Sequence, residues 1–137
     1  MLRSGLTKRA KNFDGKNLSE MGLLTKAGVK GFTDATQSVD NSAVFKRALE
    51  YSKAFDALII QFPEDRNLAK HGVMNEGEIS TRLGLPGIPT LAEVMVIERD
   101  LRLVELTGAK YHVSCISTAD AVDAIRKAKQ KGLKITC

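Results

Sequence analysis

Hydrophobic and polar positions along the chain alternate between two rhythms. Short apolar runs bounded by turn residues, GVKGFTD (28–34), DALIIQF (56–62), KYHVSC (110–115) and LKITC (133–137), predict buried strands. Between them the apolar spacing follows a helical period. Asp14 is placed to cap a helix that carries Leu18, Met21 and Leu24 and stops at Gly28. Asp40 or Asn41 caps the next, whose Val44, Phe45, Ala48, Leu49 and Phe55 form one stripe. The longest helix starts at Pro89, presents Val94, Ile97, Leu101 and Val104, and ends at Gly108. Ser117 or Thr118 opens the last, with Val122 and Ile125 facing inward and Gly132 closing it.

Strand, helix, strand in repetition predicts an α/β fold of parallel strands joined by right-handed crossovers. Periodicity alone leaves open whether the sheet is open or closed into a barrel. The stretch 66–87, RNLAKHGVMNEGEISTRLGLPG, reads as an insertion of short helical turns, a long loop of the kind found at a barrel mouth. Neither an internal repeat nor a low-complexity tract is evident.

Composition narrows the function classes. At 137 residues and 43% hydrophobic content the chain suits one domain with a real core. Aromatics make up 5% and Trp is absent, which argues against a stacking platform for single-stranded nucleic acid, and no nucleic-acid partner is expected. The net charge of +5 admits an anionic partner. Bases nevertheless alternate with acids along the helical stretches, as on a solvated face. Only TKRAKNFDGK is locally basic, and 1–16 reads as a flexible leading segment. No apolar run approaches the ~20 residues a bilayer crossing needs, so no membrane association is expected. Met1 to Ser4 lacks the apolar core of a secretory signal, and two cysteines make no disulfide framework, so a cytoplasmic location is expected.

Candidate chemistry is sparse. No Walker or dinucleotide phosphate loop and no nucleophile elbow is present; GLPGIP reads as a structural turn. His71 lies in a loop. His112 lies in a strand, and if Cys115 looks into a barrel then His112 faces the helical layer as a packed, hydrogen-bonded histidine. Cys115 and Cys137 end neighbouring strands, but two thiols fall short of the three or four ligands of a zinc site, and small buried hydrophobes are the simpler reading. Glu64 and Asp65 follow a strand end, where barrels place catalytic groups; capping of the next turn fits adjacent acids better than acid/base work.

Three blocks carry a resemblance. EMGLLTKAGVKGFTD, PEDRNLAKHGVMNEGEISTRLGLPGIPTLAEVMVIERDLRLVELTG and YHVSCISTADAVDAIRKAKQKGLKIT resemble the dihydroorotases of the amidohydrolase superfamily, from about Thr7 to the end. The resemblance implies the central part of a (β/α)8 TIM-type barrel, 1–137 as one partial barrel domain, with zinc at the C-terminal mouth. It implies a family reaction of pyrimidine biosynthesis, the interconversion of N-carbamoyl-L-aspartate and dihydroorotate, in which zinc polarises a carbonyl and activates water.

Carried over position by position, the family's metal ligands meet other residues. Its FTDDG is FTDAT here, which puts Ala35 at the metal-binding aspartate; its QHPED becomes QFPED, with Phe62 at the histidine; its YHVSHIST becomes YHVSCIST, with Cys115 at a ligand histidine. Asp34 is the candidate to rescue the first of these, although strand alternation turns it to the other face. The family's first-strand His-x-His pair and final aspartate fall outside the sequence, and the chain aligns with about the end of the third strand through the seventh. No metal is therefore predicted for this chain, no catalytic residue is assigned, and the substrate-binding residues are left open. The leading expectation is an inactive pseudoenzyme that scaffolds aspartate carbamoyltransferase, or that combines with remaining barrel segments, as an oligomer or complex. One rival is a segment of an active zinc-dependent dihydroorotase, with Asp34 or Cys115 standing in. The other is a metal-free small-molecule sensor drawing polar contacts from Met74 to Gly77.

Overall fold

The computed structural model describes residues 6–8, 20–34 and 37–137. In chain order the elements are β1 (Leu6–Lys8), α1 (Met21–Lys26), β2 (Gly31–Thr33), α2 (Ser42–Lys53), β3 (Leu58–Gln61), α3 (Arg66–Ala69), β4 (Met74–Asn75), α4 (Glu78–Leu83), β5 (Gly87–Ile88), α5 (Leu91–Thr107), β6 (Lys110–Val113), α6 (Ala119–Gln130) and β7 (Ile135–Thr136). Five strands form one sheet in the order β1-β2-β3-β6-β7, and every pair is parallel. This is the expected parallel α/β arrangement, and its uninterrupted strand order is that of an arc of a barrel. Strand β1 lies inside the stretch read above as a leading segment, so part of 1–16 is sheet.

Alternation of side chains gives the sheet two unlike faces. Phe32, Ile59, Gln61, Tyr111, Val113 and Ile135 are buried. Phe45 of α2 packs edge-to-face on Tyr111 at 5.9 Å, and the same Tyr111 donates its hydroxyl to Asp100 of α5 at 2.7 Å, so this face carries the helices. Thr33, Leu58, Ile60 and His112 point the other way and are half-buried. The core is thus one layer deep, built from Phe45, Leu49, Ile97, Val104 and their neighbours between sheet and helices.

A buried polar cluster locks that layer. Asp100 is fully buried; one oxygen receives Arg99 through Nε at 2.9 Å and Nη2 at 2.7 Å, and the other receives Tyr111. Arg99 also donates to the Asp40 carbonyl at 3.0 Å and lies 5.7 Å from the centre of the Phe45 ring. A buried carboxylate is tolerated here because a fork of cationic donors and a hydroxyl compensate its lost hydration.

Local signals place most helix ends. Asn41 caps α2 by accepting from Ala43 and Val44 amides at 2.9 and 3.2 Å, and Thr118 caps α6 by accepting from Ala121 at 3.3 Å. Gly108 closes α5 at φ 68°, where a side chain would be strained. The expected start of the first helix at Asp14 and its Leu18 lie outside the described residues. Phe55 falls beyond the end of α2, although it still packs on Tyr51 at 5.2 Å. Val122, expected inward, is 44% exposed. The buried stripe of α6 is Ala121, Ile125 and Ala128, and Val122 sits about 100° from Ala121 around the axis.

The insertion holds more structure than helical turns. Besides α3 and α4 it contains a parallel pair, β4 with β5, reinforced by Val73 and Glu76 amides donating to the Pro86 and Ile88 carbonyls. The pair is tight: a β-carbon on Gly87 would lie 2.6 Å from the Glu76 α-carbon. Among the described residues no helix is long and apolar enough to cross a membrane.

Candidate functional site at the strand C-terminal ends

Parallel strands deliver their C-terminal ends to one rim, and the loops there carry the positions singled out above. The loop after β2 begins with Asp34, which is 2% exposed and shares strand parity with the helix-facing Phe32. Ala35 lies outside the described residues. Further along, Ser38 joins two loops: its hydroxyl donates to the Phe62 carbonyl and accepts from the Glu64 amide at 2.8 Å. Arg66 pairs with Asp40 at 2.5 Å, binding the same loop to the start of α3. These bonds tie the 37–40 segment to the loop after β3.

Phe62 follows β3 directly and is half-buried. Glu64 and Asp65 come next, and Asp65 caps α3, accepting from the Asn67 and Leu68 amides at 2.8 and 3.1 Å, as its position suggested. Across the sheet, Ser114 binds the Gln61 carbonyl through its amide at 3.0 Å and its hydroxyl at 2.9 Å. The chain then turns at Cys115, a non-glycine residue at φ 56°.

That turn is held by a group that residue patterns did not mark as functional. Glu93 of α5 is 8% exposed, and its Oε1 accepts from the Ser117 amide at 2.8 Å and hydroxyl at 3.3 Å. Its Oε2 accepts from the Thr118 amide at 3.0 Å and from the Thr118 hydroxyl. Asn75 of the insertion adds a 3.1 Å bond to the Ser117 hydroxyl. The only sequence signal for Glu93 was its place in the LAE of the long family-like block; nothing in the chain marks Ser38.

Phe62, Cys115 and Glu93 share a small cleft of about 50 Å3, together with Glu64, Asn75 and Thr118. A wider cleft of about 610 Å3 opens beside it, lined by His112, Ser114, Cys115, Thr118, Val122 and Cys137. Two expectations are corrected here. Both cysteines are exposed rather than buried; the left-handed turn carries Cys115 out of the strand, and Cys137 lies at the rim. His112 faces away from the helices, because Tyr111 and Val113 take the helix side, and its Nδ1 meets the Thr136 hydroxyl at 2.8 Å. It is hydrogen-bonded, as expected, but on the opposite face. His71 is exposed in its loop.

The chemistry of these donors does not suit the binuclear zinc centre that the resemblance implies. A phenyl ring has no lone pair to give, Cys115 supplies one thiol, and Glu93 already spends both oxygens on the Ser117–Thr118 turn. Among the described residues no three His, Cys, Asp or Glu side chains gather to hold an ion.

Comparison with known proteins fixes the lineage. Residues 10–121 match the family model described as Dihydro-orotase-like. The chain is 50% identical over 127 residues to the dihydroorotase of Syntrophus aciditrophicus, covering 93% of this chain and 30% of that one. It is 47% identical over 126 residues to the dihydroorotase of Carboxydothermus hydrogenoformans, covering 92% and 29%. Among solved structures, the L-hydantoinase (dihydropyrimidinase) of Arthrobacter aurescens superposes with a TM-score of 0.68 at 18% identity, over 97% of this chain and 31% of that one. The dihydropyrimidinase of Brevibacillus agri gives 0.64 at 19% identity, over 96% and 30%. These structures speak for the fold, a parallel α/β segment of a TIM-barrel-like architecture. The chain thus spans about 30% of the length of the curated relatives it matches, and it belongs to the dihydro-orotase-like family of the amidohydrolase superfamily.

Proposed function

We propose that this chain is a non-catalytic member of its family: a dihydroorotase-like protein of pyrimidine biosynthesis that has lost the zinc centre and serves as a cytoplasmic scaffold for aspartate carbamoyltransferase. The observation that carries the proposal is Phe62, set at the end of β3 in one cleft with Cys115. An aromatic ring there fills space and donates nothing to a metal, while the scaffold itself, from Asp100 to the Ser38 bridge, is intact. Selection for a folded surface without hydrolytic chemistry accounts for both.

A second reading is favoured by a different observation. Relatives bearing the dihydroorotase name extend well beyond the matched segment, so an active zinc-dependent dihydroorotase would draw its other ligands from parts that the match does not cover, with Asp34 or Cys115 as stand-ins. Metal analysis and a cyclisation assay separate the two. The first reading expects no stoichiometric zinc and no formation of dihydroorotate from N-carbamoyl-L-aspartate, together with co-elution of aspartate carbamoyltransferase on size exclusion. Two equivalents of zinc with turnover would overturn it, and ligand-induced stabilisation without metal would point to a sensor.

A further inference from the structure

Because the strands are parallel, helix C-termini and strand N-termini meet at the end opposite the mouth. The four connections there, α1 to β2, α2 to β3, α5 to β6 and α6 to β7, gather Lys26, Lys30, Lys53, Lys110, Lys131 and Lys134 around Asp56, with Glu50 and Glu105 as the acids in the adjoining last helical turns. The mouth is the reverse, with Asp34, Asp40, Glu64 and Asp65 against Arg66 in the connections that follow β2 and β3. Charges that look interspersed along the chain are therefore segregated in space.

Helix dipoles explain only half of this. Lys26, Lys53 and Lys131 finish helices, where a cation is favoured. Lys30, Lys110 and Lys134 stand at strand starts, where no helix end calls for them. Lys30, Lys53, Lys110 and Lys134 also lie close together. Lys110 bonds Asp56 at 2.5 Å, and Lys134 acts on the same carboxylate. Lys53 Nζ lies 3.9 Å from where a β-carbon on Gly108 would stand. Lys131 reaches Glu105 at 3.5 Å, whereas Lys26, Lys30, Lys53 and Lys134 make no ion pair among the described residues. Set into this basic end is a cleft of about 490 Å3 with Val29, Phe55 and Leu58 in its wall and Lys30, Asp56 and Lys110 around it.

We propose that this end is a docking surface for an acidic protein segment carrying an apolar anchor residue: the lysines attract the segment and the cleft takes the anchor. Charge complementarity selects the occupant. Nucleic acid is disfavoured, since none of the six cations is an arginine able to fork onto phosphate and Phe55 is engaged by Tyr51 rather than offered for stacking. A two-fold contact between copies would bring like charges together. The inference is independent of whether the mouth retains chemistry.

The test uses the full chain and a fluorescein-labelled peptide, Glu-Glu-Asp-Phe-Asp-Glu-Glu, followed by anisotropy at low and at raised salt. The expected result is salt-sensitive binding that Lys30→Glu/Lys53→Glu/Lys134→Glu weakens by at least about tenfold. Replacing the peptide's Phe by Ala also weakens binding about tenfold if the cleft holds the anchor. Lys70→Glu/Arg82→Glu, in the mouth-side insertion, leaves affinity within about twofold, since distant exposed charges are screened. All three substituted lysines are exposed, and far-UV circular dichroism verifies folding of the variant. Unchanged affinity in the triple variant, an equal loss in the mouth variant, indifference to the Phe, or equal affinity for an oligothymidylate of the same charge would each overturn the proposal. So would self-association in sedimentation that the triple variant abolishes.

Discussion

Removing the Glu93 carboxylate tests how the mouth is built. In Glu93→Ala the Ser117 and Thr118 amides, held at 2.8 and 3.0 Å, lose their acceptor together with the two hydroxyls. Hydrogen bonds to a charged group contribute about 1.5–3 kcal/mol each, and stranding a buried donor costs about 1–3 kcal/mol. The four bonds share one side chain and one turn, so they do not add, and partial rehydration of the turn recovers some of the loss. The expected net cost is about 3–4 kcal/mol, a large part of a typical domain's stability. Glu93→Gln keeps the volume and one acceptor oxygen but turns an NH2 toward an amide, and about 2 kcal/mol is expected. Urea unfolding followed by far-UV circular dichroism, with m unchanged, measures both. Because the turn carries Cys115, alkylation of that thiol should also accelerate in Glu93→Ala. A cost below about 1 kcal/mol for Glu93→Ala, or Gln as costly as Ala, would refute the view that this carboxylate organises the turn.

Other outcomes follow from single contacts. Asp56 is held below its ordinary value of 3.8, first by the hydrogen bond from Lys110 and then by the charge of the same lysine. A depressed carboxylate favours the fold above that ordinary value, and the contribution fades as pH falls through its lower folded pKa. Carbon-detected NMR titration should place the Asp56 midpoint below 3.8 and return it upward in Lys110→Met; an unmoved midpoint contradicts the pairing. Cys115→Gly should leave the fold intact and stabilise it by up to about 1 kcal/mol in thermal or urea unfolding, because glycine occupies a φ of 56° without the β-carbon clash while giving back part of the gain as unfolded-state entropy. Tyr111→Phe removes one donor from fully buried Asp100 and should cost about 1–3 kcal/mol; a neutral result would mean that the carboxylate is satisfied without the hydroxyl.

The Ser38 bridge and the Glu93 clasp tie the loops of the mouth to one another and to a helix. Ser38 joins the loops that follow β2 and β3 through the Phe62 carbonyl and the Glu64 amide, and Glu93 joins α5 to the loop that follows β6. Phe62 and Cys115 therefore sit in an ordered, hydrogen-bonded setting.

Local physics made much of this protein legible from its residues. Asn41, Asp65, Thr118, Gly108 and Gly132 mark helix ends through groups that act within a turn of their own position. The apolar runs at Phe32, Ile59, Tyr111 and Ile135 mark strands, although the regular segments are shorter than the runs. What Ala35, Phe62 and Cys115 can donate was likewise legible in the order of residues, since it is a property of side-chain chemistry. The β4–β5 pair escaped notice because two-residue strands carry no period.

Tertiary structure decided the rest. Which face of β6 meets the helices depends on the packing of Tyr111 against Phe45 and Asp100, contacts between residues far apart in the chain, and that packing turned His112 to the opposite side from the one expected. Exposure of Cys115 depends on a backbone turn held by Glu93. The basic end exists only because parallel crossovers bring four separate connections to one surface. Residue order determines local conformation and donor chemistry through short-range forces; facing, burial and the pooling of charge arise from long-range contacts that exist only once the chain has folded.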